Sequence, residues 1–547
     1  MNRTSVNRTR LFHLVAFMLP LLFFLLLEAG LRLSGYGEAR PLFVPAETDP
    51  ADNASLMLNH DVARRYFPGD GFIPLPTSDR FLQRKPDNGY RVFVLGGSTA
   101  AGWPYPENVI FSRRLQQQLA DVFPEKRIEV VSTGIAAVNT FTLLDLLDEI
   151  LAQSPDAILI YAGHNEFYGA FGTASTITPG RMHWPVRLYL SLQELRLFML
   201  LRDVVAMARD WARRDGGDSK RGTRTLMGQV IAEQWIDTDS ELYARTEAQF
   251  RHNLLEILSR INAAGVPLLV SELVSNLRDH PPFFSDGEQT DSAASQAYRA
   301  ARERETAADI AAARFGYYRA KDLDGLRFRA PESFNTIIHE LASEMAIPVV
   351  PMKSWFEQAS PNGLIGDSLM LEHLHPNAEG HLLMSRAFLE AMRTHGLVTD
   401  DWSTREVRDL EYYREHSTYS RMDTMIGHLR VMYLMDHWPY RPEGQPTRHA
   451  LDYYPRNRME ALAKQVASGK LSYRDGHMQL AEYFLQQDMM DAALHEYRAL
   501  INQSPLDPAH YTAVIRQLIL VQALPEAQMF IEQAAVIAGF NEGRLTT

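Results

Sequence analysis

The chain has 547 residues, too many for one compact core, and that length points to two to four domains. With 46% hydrophobic and 22% charged residues it has ordinary globular composition, which excludes a wholly disordered or collagen-like chain. Lys+Arg total 55 against 67 Asp+Glu, a net charge of −12 that argues against nucleic-acid partners, and the absence of cysteine excludes disulfides, thiolate catalysis, Cys-ligated zinc and iron–sulfur clusters.

Residues Leu11 to Leu27 read LFHLVAFMLPLLFFLLL, without a charged side chain. At about 1.5 Å per residue this stretch and its small flank reach roughly 25–30 Å, close to a hydrocarbon core. The apolar region of a cleaved signal peptide usually runs about 7–15 residues, so residues 11–33 read as an uncleaved anchor in preference to a signal. Arg3, Arg8 and Arg10 precede the segment with no acidic residue among them, whereas Glu28 and Glu38 beyond it balance Arg32 and Arg40. The positive-inside bias places residues 1–10 in the cytoplasm and the main body in the periplasm, tethered to the inner membrane. Residues 34–89 read as a linker and N-terminal extension.

From Tyr90 the pattern alternates. Arg91–Leu95 (RVFVL) is a strand ending in Gly96-Gly97, and Asn108–Val122 is a helix. Ile128–Val131 is a second strand and Thr142–Ala152 a second helix. Ala157–Tyr161 (AILIY) is a third strand, and Pro267–Val270 and Ile347–Val350 follow, each after a long helical pattern. Such alternation implies a mostly parallel sheet covered on both faces, with chemistry gathered at the C-terminal strand ends. Residues 169–243 interrupt it as an insertion, in which Arg187–Arg213 reads as a core-packed helical hairpin, or else as a lid or membrane-surface helix. After a helical connector over 401–470, residues 471–547 suggest helical repeats. Leu480-Ala481, Phe484, Ala493, Tyr497 and Pro505 are followed 34 residues on by Val514-Ile515, Leu518, Ala527, Ile531 and Gly539. This spacing resembles tetratricopeptide repeats, whose generic role is protein docking; a helical cap stabilising the body fits equally well.

Ser98 lies in VFVLGGSTAAG, between the first strand and a helix, where glycines let the chain turn sharply. Alone, the motif fits a nucleophile, a phosphate-cradling turn or a plain loop. Gly134 in VVSTGIAAVNT and Asn165 in YAGHNEFYG follow the second and third strands, on the same sheet edge, and offer donors for an oxyanion. His375 in EHLHPN precedes the last helix of the body and can act as a general base toward Ser98, with Glu372 three residues earlier able to fix its tautomer.

With these blocks in the order Ser, Gly, Asn, His, residues 90–400 resemble the SGNH hydrolases, or GDSL esterases and lipases. The resemblance implies a three-layer α/β/α sandwich of flavodoxin-like type with a parallel central sheet, and ester cleavage or acyl transfer through a serine-bound intermediate. It implies Ser98 as nucleophile, His375 as base, and Ser98, Gly134 and Asn165 as oxyanion donors, with no metal and no cofactor. Two positions depart from the family pattern. Gly97 stands where the family has Asp before the serine, and Glu372 where it has Asp before the histidine. Asp367 is the alternative acid. Glu166, beside Asn165, is expected to hold the loop.

Other groups have blander readings. Glu372, His373, His375 and His381 resemble a metal cluster, but His373 and His375 alternate along an extended segment and face opposite sides unless a turn bends them together. Asp145, Asp148 and Glu149 read as a solvated helix face, and His164 as an ordinary loop contact. Arg278 and Arg327, in polar loops, bind either an anionic substrate group or a structural partner. Three functions follow: an anchored serine esterase acting on an ester-bearing small molecule, lipid or glycan; an O-acyltransferase acting on envelope glycans; or a non-catalytic scaffold whose repeats dock a protein partner.

Overall fold

The computed structural model describes residues 3–37, 40–46, 54–67, 73–178, 182–214, 225–283, 292–442 and 444–538; Glu38 and Gly539 lie outside them. Helix α1 spans Arg3–Leu33. Its segment Phe12–Leu33 is long and apolar enough to cross a membrane, with mean hydropathy 2.4, and none of it is buried inside the protein.

The stretch after α1, expected as a linker and N-terminal extension, carries a small sheet of its own. Strands β1 (Phe43–Pro45), β2 (Ser55–Leu58) and β3 (Arg80–Leu82) form an antiparallel sheet. Leu42, Leu58 and Phe81 are fully buried, and Phe43 and Phe81 pack on Phe93 of the main sheet. Strands of three and four residues leave no periodicity to read.

The strands expected from the apolar runs are all present. They are β4 (Gly89–Gly96), β5 (Arg127–Ser132), β6 (Ala157–Tyr161), β7 (Leu268–Ser271) and β8 (Val349–Val350), parallel throughout in the order β5-β4-β6-β7-β8. Between them run α2 (Ser98–Ala101), α3 (Phe111–Val122), α4 (Thr140–Leu151), α5 (His183–Leu192), α6 (Arg196–Arg214), α7 (Leu226–Val230), α8 (Glu241–Ala263), α9 (Ala293–Thr306), α10 (Ile310–Leu323) and α11 (Glu332–Glu344); α12 (Met352–Ala359) and α13 (Ala378–Thr394) follow. Helices α3 and α13 pack together over one face of the sheet, and α4, α8 and α11 over the other, giving three layers. Both faces are covered, so the strands are apolar nearly throughout; Val92 to Leu95 and Ala157 to Leu159 are fully buried.

Three expectations need correction. The acidic face of α4 is only partly solvated: the extension lies on it, Tyr66 donating to Asp145 at 2.7 Å and Arg65 pairing with Glu149 at 2.6 Å, while Asp148 stays exposed. The polar loop that holds Arg327 is buried, Arg327 and Arg329 being 2% and 4% exposed, so Arg327 is not open to an anionic substrate group. The hairpin of α5 and α6 is not core-packed: among its described side chains only Val186 and Met199 are buried, and several large apolar ones are exposed. A helical apolar period marks a buried face only when another element covers it.

The C-terminal region is helical, with α14 (Leu410–Glu415), α15 (Arg421–Met435), α16 (His449–Asp452), α17 (Arg458–Ala467), α18 (Tyr473–Gln486), α19 (Met490–Gln503), α20 (Pro508–Leu520) and α21 (Leu524–Ala538). The last four pack as two pairs, α18 with α19 and α20 with α21, and α18 continues onto α17 and α15. This bundle grips the loop that follows Ser98. Asn108 donates to Asp423 at 2.9 Å, Arg430 to Pro104 O at 2.9 Å, and Gln503 to Glu107 at 2.8 Å.

A buried charge cluster joins three of these helices. His477 meets Asp423 at 3.2 Å and Glu496 at 2.7 Å, and Tyr473 donates to Asp423 at 2.7 Å. Burial alone lowers an imidazole pKa, but the two carboxylates outweigh it and hold His477 up at about 9. A histidine whose folded pKa lies above its unfolded value near 6.5 contributes stability that is complete below that value and disappears as pH rises through the folded one. Thermal unfolding should therefore show the bundle losing stability between pH 7 and pH 10, on the order of 3 kcal/mol. His477→Gln should be less stable at pH 7 and lose that slope; a variant keeping the same slope contradicts the assignment.

Candidate active site

The parallel sheet brings three strand ends to one edge. β4 ends at Gly96, and Gly97 caps α2, so Ser98 opens a helical turn whose first N–H groups have no intrahelical acceptor. Sterics explain the glycines. A Cβ on Gly96 would come within 2.2 Å of Tyr161 O, and one on Gly97 within 2.6 Å of Asn165 Nδ2. Gly134, past β5, lies against the α2 backbone, 2.2 Å from Ala101 N to a hypothetical Cβ. Its N–H donates a long hydrogen bond, 3.2 Å, to Ser132 Oγ. Asn165 follows β6; among the described residues no partner takes its side-chain amide, which faces Gly97.

The base comes from the far end of the body. The segment before α13 folds back on itself: Met370 bridges to Pro376, Leu371 N donates to His375 O at 2.8 Å, and Asn377 N to Leu369 O at 2.9 Å. Asn377 then caps α13 by accepting from Gly380 N at 2.9 Å. This turn delivers His375 to Ser98, with Nε2 2.7 Å from Oγ. The other ring nitrogen, Nδ1, is hydrogen-bonded to Glu372 Oε1. A carboxylate accepts only, so Nδ1 carries the proton and Nε2 is left as an acceptor for the serine hydroxyl; the tautomer is assigned from this network.

Glu372 is 2% exposed. Its carboxylate accepts from His375 N at 2.8 Å, His373 N at 2.9 Å and Tyr440 OH at 2.6 Å, besides the two imidazoles. The turn thus brings His373 and His375 to one carboxylate, although simple alternation would set them on opposite sides. The donor atoms of Glu372, His373 and His375 all lie within 4.8 Å of one another. In that group each imidazole presents Nδ1 to the carboxylate in a hydrogen bond, and His375 turns its second nitrogen to a serine. Such an arrangement needs protons between its members where a metal would need lone pairs. Burial pushes the His375 imidazole below its ordinary range, so at neutral pH it is a neutral acceptor.

The remaining candidates are placed elsewhere. Asp367 accepts from Asn276 at 2.8 Å and makes no contact with His375. His381 stacks on Phe111 and meets Tyr105 edge-on, apart from the cluster. Glu166 accepts from Thr140 N at 3.0 Å and Thr140 Oγ1 at 2.8 Å, tying the β6 loop to the start of α4; burial raises its carboxyl to about 7. His164 accepts from Ala330 N at 3.2 Å. Arg278 pairs with Glu305 at 2.7 Å, and Arg327 donates to Ile236 O at 2.7 Å, so both are engaged by protein partners.

Two aromatic residues at the site were not singled out from the sequence. The Trp103 ring lies 4.6 Å from the His375 ring, and Tyr440 reaches Glu372 from the helical connector. Both sit in Trp-Pro-Tyr tripeptides, residues 103–105 and 438–440, a repeated signal that could have drawn attention to them.

Three solved structures are similar to part of this chain. They are a putative acylhydrolase from Bacteroides fragilis, 12% identical over 57% of this chain and 91% of that one; an acetyl xylan esterase, 12% identical over 55% and 98%; and a GDSL-like lipase from Bacteroides thetaiotaomicron, 11% identical over 58% and 93%. Each has a TM-score of 0.29. No curated protein matches the sequence significantly. The sequence model of the GDSL-like lipase/acylhydrolase family, however, matches residues 94–383, just over half of the chain and the same span that runs from the β4 turn through His375 into α13. On that match the chain belongs to the GDSL-like lipase/acylhydrolase family.

Proposed function

We propose that the protein is a membrane-anchored serine esterase with its catalytic body outside the cytoplasmic membrane. The observation that carries this reading is the hydrogen-bonded line from Ser98 Oγ through His375 to buried Glu372. Ser98 Oγ attacks the ester carbonyl as its proton passes to His375 Nε2. Glu372 keeps Nδ1–H aimed and balances the positive charge that forms on the ring. The developing oxyanion accepts from the Ser98 N–H and from the Asn165 amide. Gly134 N–H joins them by exchanging its long bond to Ser132 for the oxyanion. Each such donor contributes about 2.7–4 kcal/mol to lowering the barrier. His375 returns the proton to the leaving alcohol, and water activated by the same imidazole releases the acid. If a glycan hydroxyl replaces water, the same residues transfer the acyl group instead.

The substrate class is an ester-bearing small molecule, lipid or glycan. α1 supplies the anchor, and Arg3, Arg8 and Arg10 set its N-terminus in the cytoplasm by the positive-inside bias. The helical pairs at the C-terminus serve as a docking surface for a protein partner. No metal or organic cofactor takes part in any step.

Labelling with a fluorophosphonate tests the reading. The full-length wild type should label and Ser98→Ala should not, while keeping its unfolding temperature. Wild-type protein that is folded and hydrolyses no short p-nitrophenyl ester, and does not label, would instead be the scaffold. Tyr440→Phe removes one hydrogen bond to a charged group, which is typically worth about 1.5–3 kcal/mol. Its kcat should fall roughly tenfold or more with KM little changed. An unchanged kcat would mean that Tyr440 does not help to hold the acid.

A further inference from the structure

The hairpin of α5 and α6 leaves an apolar face uncovered beside the end of α1. Leu201, Val204 and Met207 on α6 are 59%, 48% and 63% exposed, and Trp184 on α5 is 62% exposed. At 100° per residue, Leu201, Val204 and Val205 form one stripe, with Met207 at its margin. The opposite side of α6 is used internally. Met199 packs near Gly37 and Tyr36 donates to Asp203 at 2.8 Å, whereas Phe198, at the edge of the stripe next to Val205, meets Tyr189 of α5 edge-on.

Hydrogen bonds fix where this face sits relative to the anchor. The apolar run of α1 stops at Leu27, and the next side chain, Glu28, accepts from Arg196 N at 3.0 Å and Leu197 N at 2.8 Å. The first turn of α6 is therefore capped by the residue that ends the hydrocarbon-length segment. Arg32, one turn on, bonds both Glu28 and Glu194 O. α6 thus begins at the level where α1 leaves the apolar layer. Residues 182–214 also carry six arginines against three acidic residues, a positive segment in a chain of net charge −12. An apolar stripe, basic flanks and a rigid link to the boundary of a spanning helix are the features of a helix that lies in a membrane interface.

We propose that the α5–α6 hairpin is a second membrane attachment, its Leu201–Val204–Val205 face seated in the interface of the bilayer that α1 crosses. The inference rests on the reading of α1 as an anchor. The occupant is the lipid surface of that same bilayer. The consequence is mechanical. One helix alone lets the body swivel and tilt, whereas an interfacial hairpin held to it fixes the height and orientation of the body above the membrane.

The chain has no native cysteine, so single-cysteine spin labels report without background. Full-length protein carrying Leu201→Cys, Met207→Cys, Leu21→Cys or Phe315→Cys is placed in nanodiscs of phosphatidylethanolamine and phosphatidylglycerol. Collision with oxygen and with a water-soluble nickel chelate is then measured. Phe315, 70% exposed on α10, serves as the aqueous reference. Labels at 201 and 207 should lose access to nickel and gain access to oxygen, at a depth shallower than the label at 21. If 21 is in lipid while 201 and 207 are as open to nickel as 315, the hairpin is in water and the proposal fails. If 21 itself is open to nickel, the anchor reading fails and takes this inference with it. Dipolar broadening between labels at 201 would assign the face to a second copy of the chain and would equally overturn it.

Discussion

A single buried carboxylate organises the site. Glu372 is almost wholly removed from water, and a charge taken into a protein interior is tolerated only when hydrogen bonds replace its hydration. Two backbone N–H groups, two imidazoles and a phenol supply that replacement. The same requirement shapes the chain around it. The 370–376 segment must turn tightly to aim two backbone N–H groups inward, and that turn is what carries His375 to Ser98. In the proposed mechanism the acid does not act on substrate; it orients the imidazole and balances its charge.

The rest of the fold is arranged around that convergence. A parallel sheet places every strand's C-terminal end on one edge, so Ser98, Gly134 and Asn165 meet although they are far apart in sequence. Close backbone approach then dictates the small residues: Gly96 against Tyr161 and Gly134 against Ala101. The helical bundle is tied into the same place. It grips the loop after Ser98 through Asn108 and Pro104, and the loop after α15 lends Tyr440 to Glu372. The C-terminal helical region is therefore physically continuous with the site.

The sheet was legible because buried parallel strands are short unbroken apolar runs, and AILIY at residues 157–161 can hardly be anything else. The candidate site residues stood out because turns at strand ends carry glycine and small polar residues of distinctive type. The structure brings Ser98, His375 and Glu372 into one line, with Asn165 alongside. Other features had no local signature. Tyr440 joins Glu372 from 68 residues downstream, and a tyrosine in a connector resembles any other. The extension at 40–82 forms its sheet through pairings that alternation cannot reveal in three- and four-residue strands. Helical period announced α6 but not what it faces. Asp145 and Glu149 looked solvated because Arg65 and Tyr66, which cover them, lie some eighty residues away in sequence.

The central claim is that one tetrahedral carbon can be held between the Ser98 hydroxyl and the Asn165 amide while His375 stands at proton-transfer distance. The structure of the protein inactivated by a small alkyl phosphonate tests it most directly, because the phosphonate copies that tetrahedral centre. The account predicts phosphorus bonded to Ser98 Oγ, with the phosphoryl oxygen accepting from Asn165 Nδ2 and the Ser98 N–H, and His375 Nε2 within hydrogen-bond reach of the adduct. Phosphorus on any other residue, or a phosphoryl oxygen turned away from Asn165 into solvent, would contradict it.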